Sequence, residues 1–258
     1  GSTMRNKISI SLDKGLMKRI DAAVDGNTIR NRSQAIEYLI KRGLEKKDIT
    51  KALILSGGKL ENLKVRGTFK PLVKIDGKEV VIHTIDVLKS HGINEVIIAA
   101  GPITDHIFSV LGDGSDLGIK VIYLKDNNLG TAGVVNAAKR YFDSDFFVVS
   151  ADVYFDFDLH KMISFHSTHD GFVTLAVSTT ELQESKDYIE LEGSVVKKFD
   201  YVPKIRTYLV NAGIYIFRPE IFSYLPERGS LEKDVFPTLA GMKKIVAYNF
   251  AGKWRAVN

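Results

Sequence analysis

Residues 51–58 read Lys-Ala-Leu-Ile-Leu-Ser-Gly-Gly, an apolar run of strand length that ends in two glycines. Three similar runs and three helical patterns alternate after it, namely strands at 95–100, 119–123 and 146–150 and helices at 80–91, 104–112 and 132–141. Nearly continuous apolar runs indicate strands buried on both faces, as in a parallel sheet covered by helices. The pattern therefore predicts a doubly wound α/β domain over 51–258, with ligands bound beyond the carboxyl ends of its strands.

The composition is that of an ordinary globular chain and narrows the possible classes of protein. The 258 residues are 45% hydrophobic and 26% charged, and they include no cysteine, which excludes disulfides and thiolate metal sites. No apolar run approaches the roughly 18 residues that span a bilayer, and no secretory signal is present. These features predict a cytoplasmic protein with no membrane partner.

Positive charge is concentrated at the start of the chain. Residues 1–47 carry 11 Lys and Arg against 5 Asp and Glu, whereas the remainder has a formal net charge of −1. Such asymmetry indicates either a polyanion partner for this segment or a solvated basic face.

The pattern of the first 44 residues predicts a strand, a helix, a turn and a second helix. Lys7-Ile-Ser-Ile-Ser-Leu12 alternates polar and apolar residues with the period of a strand. Asp13 begins a helical stripe, Asp25-Gly-Asn27 breaks it, and Ser33 is the predicted N-cap of the second helix. One short strand and two helices cannot close a core alone, so the segment needs a partner strand.

The order and length of these elements resemble the ribbon-helix-helix family of DNA-binding proteins, on Lys7–Leu12 and on Arg32-Ser-Gln-Ala-Ile36. The resemblance implies a β-α-α domain over 4–47 that forms a homodimer, or a higher oligomer, and lays paired strands in the major groove of double-stranded DNA. The implied DNA-binding residues are Arg5, Lys7, Ser9 and Ser11 on the strand, with Ser33 and Gln34 holding a phosphate. The alternative is a module that only dimerises the chain.

Four stretches of the second domain resemble, in order, the sugar-phosphate nucleotidyltransferase family, which has a Rossmann-like fold. They are Leu53-Ile-Leu-Ser-Gly-Gly58 with Lys70-Pro-Leu72, then Gly130-Thr-Ala-Gly133, the strand end at Asp152, and Asn211-Ala-Gly-Ile-Tyr215 with Leu231-Glu-Lys-Asp-Val-Phe-Pro237. In that family a sugar phosphate attacks the α-phosphorus of a nucleoside triphosphate and pyrophosphate leaves. Such a reaction depends on positioning and on charge neutralisation.

The resemblance implies a role for each matching residue. The implied nucleotide-binding residues are Ser56, Gly57, Gly58, Lys70, Gly130 and Thr131, and Lys70 is also catalytic if the domain is active. Asn211 and Glu232 would contact the sugar, while Asp152 and Asn258 would hold Mg²⁺. The alternatives are structural, with Asp152 and Asn211 fixing turns and Glu232 capping a helix.

Several positions depart from the family's pattern. The loop after Gly58 reads Lys59-Leu-Glu-Asn62, which lacks a further glycine and the phosphate-binding arginine, although Arg66 could substitute. Tyr201-Val-Pro203 stands where the family has Glu-Lys-Pro, and Ala256 stands where many relatives have Asp. Each lost electrostatic group would cost about 3 kcal/mol at the transition state, or about 100-fold in rate.

These losses favour a regulator over an enzyme. The sequence predicts a DNA-binding transcriptional regulator whose second domain senses a nucleotide, a sugar phosphate or a sugar nucleotide. The alternative is an active, Mg²⁺-dependent sugar-phosphate nucleotidyltransferase with an N-terminal module for dimerisation or autoregulation. A third possibility is a large domain that serves only as an assembly surface.

Overall fold

The computed structural model describes residues 6–44, 48–56, 60–125, 128–179 and 182–258, and the chain divides into two compact units, 1–48 and 49–258. The α-helices of the described residues are α1 (Lys14–Ala22), α2 (Arg32–Leu44), α3 (Val80–Ser90), α4 (Thr104–Leu111), α5 (Gly130–Ala137), α6 (Leu159–Ser167) and α7 (Phe236–Gly241). The strands are β1 (Lys51–Leu55), β2 (Lys64–Val65), β3 (Thr68–Phe69), β4 (Lys74–Ile75), β5 (Lys78–Glu79), β6 (Glu95–Ala99), β7 (Lys120–Tyr123), β8 (Phe146–Ser150), β9 (Val153–Phe157), β10 (Val173–Ser178), β11 (Gln183–Glu192), β12 (Val195–Thr207), β13 (Val210–Phe217), β14 (Ile245–Asn249) and β15 (Gly252–Ala256).

The N-terminal unit contains both predicted helices, but the second begins differently from the prediction. The first helix begins after Asp13 as expected, and Asp13 also caps it, because its carboxylate accepts a hydrogen bond from the Leu16 amide at 2.9 Å. At α2 the capping side chain is Asn31 rather than Ser33, because the Asn31 oxygen accepts from the Gln34 amide at 3.0 Å. The Gln34 amide, which was predicted to help hold a phosphate, is therefore already bonded within the chain.

The predicted strand over 7–12 is not formed in the single chain. Residues 6–13 have no regular secondary structure, and the side chains of Ile8 and Ile10 are 80% and 54% exposed. A strand requires a hydrogen-bonded neighbour, and the described residues of this unit supply none. Lys7, Ser9 and Ser11 are exposed on this irregular segment, and Arg5 lies outside the described residues.

The second unit is built on a nine-stranded mixed sheet with the order β11-β12-β14-β10-β13-β8-β1-β6-β7. The four strands predicted from apolar runs form its parallel part, in which β1 lies between β6 and β8 and β7 extends the edge. Strand β13 instead runs antiparallel to both β8 and β10. The sheet is therefore mixed, and the expectation of a wholly parallel sheet is wrong on the β13 side.

Helices cover both faces of this sheet. Ala52 and Ile54 of β1 belong to the core that packs under α3, α4 and α6, whereas Leu53 belongs to the opposite core under α5 and α7. Successive strand side chains point to opposite faces, so a continuous apolar run is what burial on both faces requires. The predicted α/β fold with helices on both sides of the sheet is confirmed. None of the described helices combines the length and apolarity needed to cross a membrane.

Candidate active site

A small cleft of about 140 Å³ opens where the parallel strands β1 and β8 end. Adjacent parallel strands whose chains depart to different sides leave an opening of this kind at their carboxyl ends. The cleft is lined by Leu55, Ser56, Leu63, Lys70, Pro71, Thr131, Ser150, Asp152, Tyr215, Leu231 and Glu232. Five residues that the sequence assigned to ligand binding, Ser56, Lys70, Thr131, Asp152 and Glu232, thus share one cavity.

Lys70 and Asp152 bring opposite charges into this cleft. Lys70 opens a short 3-10 turn that precedes α3, and its own amide is tied to the Leu63 carbonyl at 2.8 Å. Asp152 follows β8, and burial raises the pKa of its carboxyl group, while the nearby Lys70 ammonium opposes that rise. The pair offers a fixed cation and a desolvated carboxylate, which are the groups that a phosphate and its metal ion require.

The cleft fits a magnesium ion through Asp152. Mg²⁺ usually binds one or two carboxylates and completes its octahedron with waters and substrate phosphates. No group of three or more His, Cys, Asp or Glu side chains in the described ranges could hold a metal ion without a substrate. Asp152 is therefore the residue that would hold Mg²⁺ together with the phosphates of a nucleotide.

Two other predicted residues lie elsewhere. Asn258 is exposed and lines a separate cavity of about 690 Å³, which also contains Arg66. The chain near Asn258 does run beside Asp152, because the Val257 amide donates to the Asp152 carbonyl oxygen at 2.9 Å. The side chains of Asp152 and Asn258 nevertheless line different cavities, and Arg66 does not line the cleft in which it was expected to replace an arginine.

Thr131 and Glu232 connect the two sides of the cleft. The Thr131 hydroxyl donates to Oε2 of Glu232 at 3.2 Å and accepts from the Leu231 amide at 2.8 Å. The Ser230 hydroxyl donates to the same carboxylate oxygen at 2.9 Å. Glu232 is therefore held through Oε2, and within the part of the chain that the structure describes no hydrogen bond engages its other oxygen.

The backbone around Gly130 joins the same two segments. The Gly229 amide donates to the Leu129 carbonyl, and the Gly229 carbonyl accepts from the Ala132 amide, each at 2.9 Å. Gly130 has φ +74°, and a Cβ atom at this position would lie 2.3 Å from the Gly229 carbonyl oxygen. Only glycine allows both this left-handed conformation and this close approach.

Asn211 is fully used in an internal network. Its side-chain amide donates to Oδ2 of Asp187 at 3.1 Å and to the Tyr215 hydroxyl at 2.8 Å, and its oxygen accepts from the Gly213 amide at 2.8 Å. Both amide hydrogens therefore have protein acceptors. In this arrangement Asn211 orients Asp187 and Tyr215 instead of offering a donor to a sugar.

Asp187, which the sequence did not reveal, is not among the residues that line the cleft, but it shares the Asn211 amide with the cleft residue Tyr215. Burial raises the pKa of its carboxyl group to about 6, the Glu232 charge adds to that rise, and the bond from Asn211 opposes it. Burial also holds the pKa of Tyr215 well above its usual range, with the charge of Glu232 contributing. Strand β11 is polar and charged at most positions, so no local pattern distinguishes Asp187 from its neighbours.

The glycine-rich loop can be described only at its start. Ser56 is buried and lines the cleft, and its amide donates to the Ala99 carbonyl at 2.8 Å. Gly57 and Gly58, the predicted nucleotide-binding glycines, lie outside the described residues.

The family assignment follows from comparison with known proteins. The family described as nucleotidyl transferase matches residues 51–257. The chain belongs to the nucleotidyl transferase family. Among similar curated proteins, mannose-1-phosphate guanylyltransferase 1 of Arabidopsis thaliana is 31% identical over 217 residues, covering 79% of this chain and 60% of that protein. The mannose-1-phosphate guanylyltransferase catalytic subunit beta of Dictyostelium discoideum is 33% identical over 222 residues, covering 80% of this chain and 60% of its own length.

Solved structures show the same nucleotidyl transferase fold at lower sequence identity. HddC from Yersinia pseudotuberculosis aligns with a TM-score of 0.65 and 23% identity, covering 81% of this chain and 94% of that chain. The inositol-1-phosphate CTP transferase from T. maritima aligns with a TM-score of 0.64 and 19% identity, covering 82% and 90%. The curated relatives are longer, and this chain spans about 60% of the length of those that it matches.

These findings correct the functional prediction. The similar curated proteins are guanylyltransferases by name, and the family match spans 207 of the 258 residues, so the prediction of a DNA-binding regulator with a sensing domain is wrong. Nothing in the comparisons supports the ribbon-helix-helix assignment of residues 4–47. Charge density and a six-residue alternation were given too much weight, since basic segments and short alternating strands occur in many proteins without a nucleic-acid partner.

Proposed function

We propose that this nucleotidyl transferase family member is an active sugar-phosphate nucleotidyltransferase that makes a nucleoside-diphosphate sugar. A phosphate oxygen of the sugar phosphate attacks the α-phosphorus of the nucleoside triphosphate, the bond to the bridging oxygen breaks, and pyrophosphate leaves. The names of relatives 31–33% identical favour GTP and mannose 1-phosphate as substrates.

The observation that carries this proposal is the single cleft that contains Lys70, Asp152, Thr131 and Glu232. Lys70 places a positive charge where the triphosphate would lie, and charge neutralisation is the main requirement of phosphoryl-group chemistry. Asp152 would hold Mg²⁺ with the phosphates, and the ion would supply further positive charge for the leaving pyrophosphate.

The other residues that the sequence assigned to ligand binding suit the two organic parts of the substrates. We assign Ser56, Gly57, Gly58, Gly130 and Thr131 to the nucleotide side and Glu232 to the sugar side. The Thr131–Glu232 hydrogen bond supports this division, because it lies where the nucleotide-side loop meets the sugar-side segment. Asn211 would act indirectly, by orienting Asp187 and Tyr215.

The experiment is a pyrophosphate-release assay with GTP, mannose 1-phosphate and Mg²⁺. We expect release that requires all three components, and we expect Lys70→Ala to lower kcat/KM by about 100-fold or more because a preorganised charge is lost. Lys74→Ala is the matched control, since Lys74 lies four residues further on, is exposed and lines the larger cavity rather than the cleft. Absence of pyrophosphate release with every nucleoside triphosphate and hexose 1-phosphate tested would reject the proposal.

We further propose that the N-terminal unit pairs two copies of the chain. Within residues 6–44 only Ile20 and Ala35 are buried apolar side chains. Seven large apolar residues of the same segment are exposed, namely Ile8, Ile10, Leu16, Tyr38, Leu39, Ile40 and Leu44. Two buried apolar side chains cannot stabilise a unit of this size, so a second copy is the simplest cover for the exposed residues.

A further inference from the structure

Asp187 lies at an irregularity of strand β11 and is linked to the cleft through Asn211, which donates to Oδ2 of Asp187 and to the hydroxyl of the cleft residue Tyr215. The pairing of β11 with β12 shifts register between Ser185 and Asp187, and Asp187 faces Tyr201 across the strands. The Ser185 hydroxyl accepts from the Asp187 amide at 3.0 Å, which fixes the local backbone. Bulges of this kind redirect side chains next to functional sites.

The carboxylate of Asp187 has an unused acceptor. Its Oδ2 accepts from Asn211, and in the part of the chain that the structure describes its Oδ1 has neither a hydrogen-bond donor nor a cation partner. The nearest charges that act on it are negative, because Glu232 raises its pKa. Asp187 and Glu232 both also act on the buried Tyr215, and Tyr215 and Glu232 line the cleft. The carboxylate of Glu232 therefore lines the cleft, and that of Asp187 is joined to the cleft residue Tyr215 through Asn211.

The negative charge of Asp187 is not needed to hold Asn211 in place. A neutral side chain such as Asn or Ser could accept the same hydrogen bond without the cost of burying a second carboxylate beside Glu232. Groups held in an unfavourable protonation state next to a cleft are more often functional than structural. A hydrogen-bond donor or a cation is a favourable ligand for such a pair, and an anion is not. Among the substrate groups, this disfavours the phosphates and favours the hydroxyl-bearing ring.

We propose that Asp187 selects the sugar by accepting hydrogen bonds from hydroxyl groups of its ring. This role rests on the proposed nucleotidyltransferase function and adds a specificity-determining residue to it. Asn211 fixes the orientation of the carboxylate, and the free oxygen of Asp187 receives the hydroxyl. A sugar that lacks that hydroxyl leaves the partly buried carboxylate without a hydrogen-bond donor. An unsatisfied buried group of this kind gives strong discrimination between sugars with and without the hydroxyl.

The test compares the wild type with Asp187→Ala and Asp187→Asn on a set of sugar phosphates. The set contains mannose 1-phosphate, glucose 1-phosphate and the singly deoxygenated analogues of whichever is used better, each with GTP and Mg²⁺. We expect the wild type to disfavour at least one deoxy analogue by about 10-fold or more in kcat/KM. Asp187→Ala should lower kcat/KM for the parent sugar phosphate by about 10-fold to 100-fold. Its kcat/KM for the disfavoured deoxy analogue should be almost unchanged, and so should its KM for GTP. Asp187→Asn retains the Asn211 hydrogen bond, so its kcat/KM for the parent sugar phosphate should lie between those of the wild type and Asp187→Ala.

Glu184→Gln is the matched control, because Glu184 lies on the same strand and its exposed side chain pairs with Lys204. A uniform loss by Asp187→Ala on the parent and on all analogues would show a positioning role and overturn the proposal. If the wild type releases no pyrophosphate, the proposed function fails, and calorimetric binding of the same sugar phosphates then tests Asp187 directly. Equal binding to the wild type and to Asp187→Ala, or no binding to either, would overturn the inference.

Discussion

At the scale of single residues, the ionised carboxylate of Asp187 lowers the stability of the fold. Its carboxyl pKa of about 6 lies above the ordinary value of 3.8, so the folded protein binds this proton more tightly than the unfolded chain does. Ionisation above pH 6 therefore destabilises the fold, and stability is regained as the pH falls from about 7 towards about 4. We expect Asp187→Asn to raise the free energy of unfolding by about 1–2 kcal/mol at pH 7.5, with the gain shrinking below pH 5.

Chemical denaturation of the two proteins at both pH values measures this difference. Asp152, whose pKa is also raised, is present in both proteins, so its contribution cancels. Glu184→Gln should change stability by no more than about 0.5 kcal/mol, because its ion pair is exposed. A destabilised Asp187→Asn variant at pH 7.5 would mean that the carboxylate has a favourable partner, contrary to the description of the site.

At the scale of elements, the start of α5 depends on a glycine. Gly130→Ala would force a Cβ atom to within 2.3 Å of the Gly229 carbonyl oxygen at a positive φ. We expect a loss of about 2–4 kcal/mol in the free energy of unfolding and a higher KM for the nucleotide, because the loop and the 226–231 segment must separate. Denaturation and steady-state kinetics measure the two effects.

The control for that substitution is Gly241→Ala at the end of α7. A Cβ at Gly241 meets no atom within 4 Å, so alanine should be neutral or stabilising by up to about 1 kcal/mol. If Gly130→Ala proved as harmless as Gly241→Ala, the junction between the loop and the 226–231 segment would not have the rigidity ascribed to it.

The elements of the second unit differ in how well the sequence predicted them. Strand β1 was predictable because burial on both faces requires an unbroken apolar run, which is visible in Ala52, Leu53 and Ile54. The antiparallel insertion of β13 was not predictable, because its residues are as apolar as those of a parallel strand. The direction of pairing depends on partners that are distant in the sequence. The position of Asp187 was also hidden, because its function depends on Asn211, 24 residues later in the chain.

Local chemistry was ambiguous even where the element was predicted correctly. Both Asn31 and Ser33 are good capping residues, and which one caps α2 is decided by where the helix starts. The strand predicted over 7–12 had the correct alternation but no partner within one chain. Sequence periodicity indicates which face of a segment is apolar, but it does not supply the neighbour that a strand requires.

At the scale of the whole molecule, the exposed apolar residues of the first unit predict a dimer. We expect the full chain to have twice the monomer mass in light scattering, and Ile8→Asp with Ile10→Asp to give monomers because charged residues cannot be buried between copies. Ser9→Asp with Ser11→Asp adds the same charge on the alternate face and should leave the dimer intact. A monomeric wild type at micromolar concentration would refute the pairing, whereas pyrophosphate release by the monomeric variant would show that catalysis does not depend on it.

The bonds between Thr131, Glu232 and Gly229 also bear on how two substrates bind in one cavity. The loop on the nucleotide side and the segment on the sugar side are hydrogen-bonded to each other within the protein. The first substrate to bind therefore restricts the motion of both the loop and the segment. The second substrate then has to remove less conformational entropy when it binds. By thermodynamic linkage the benefit is mutual, so each substrate raises the affinity for the other by the same factor.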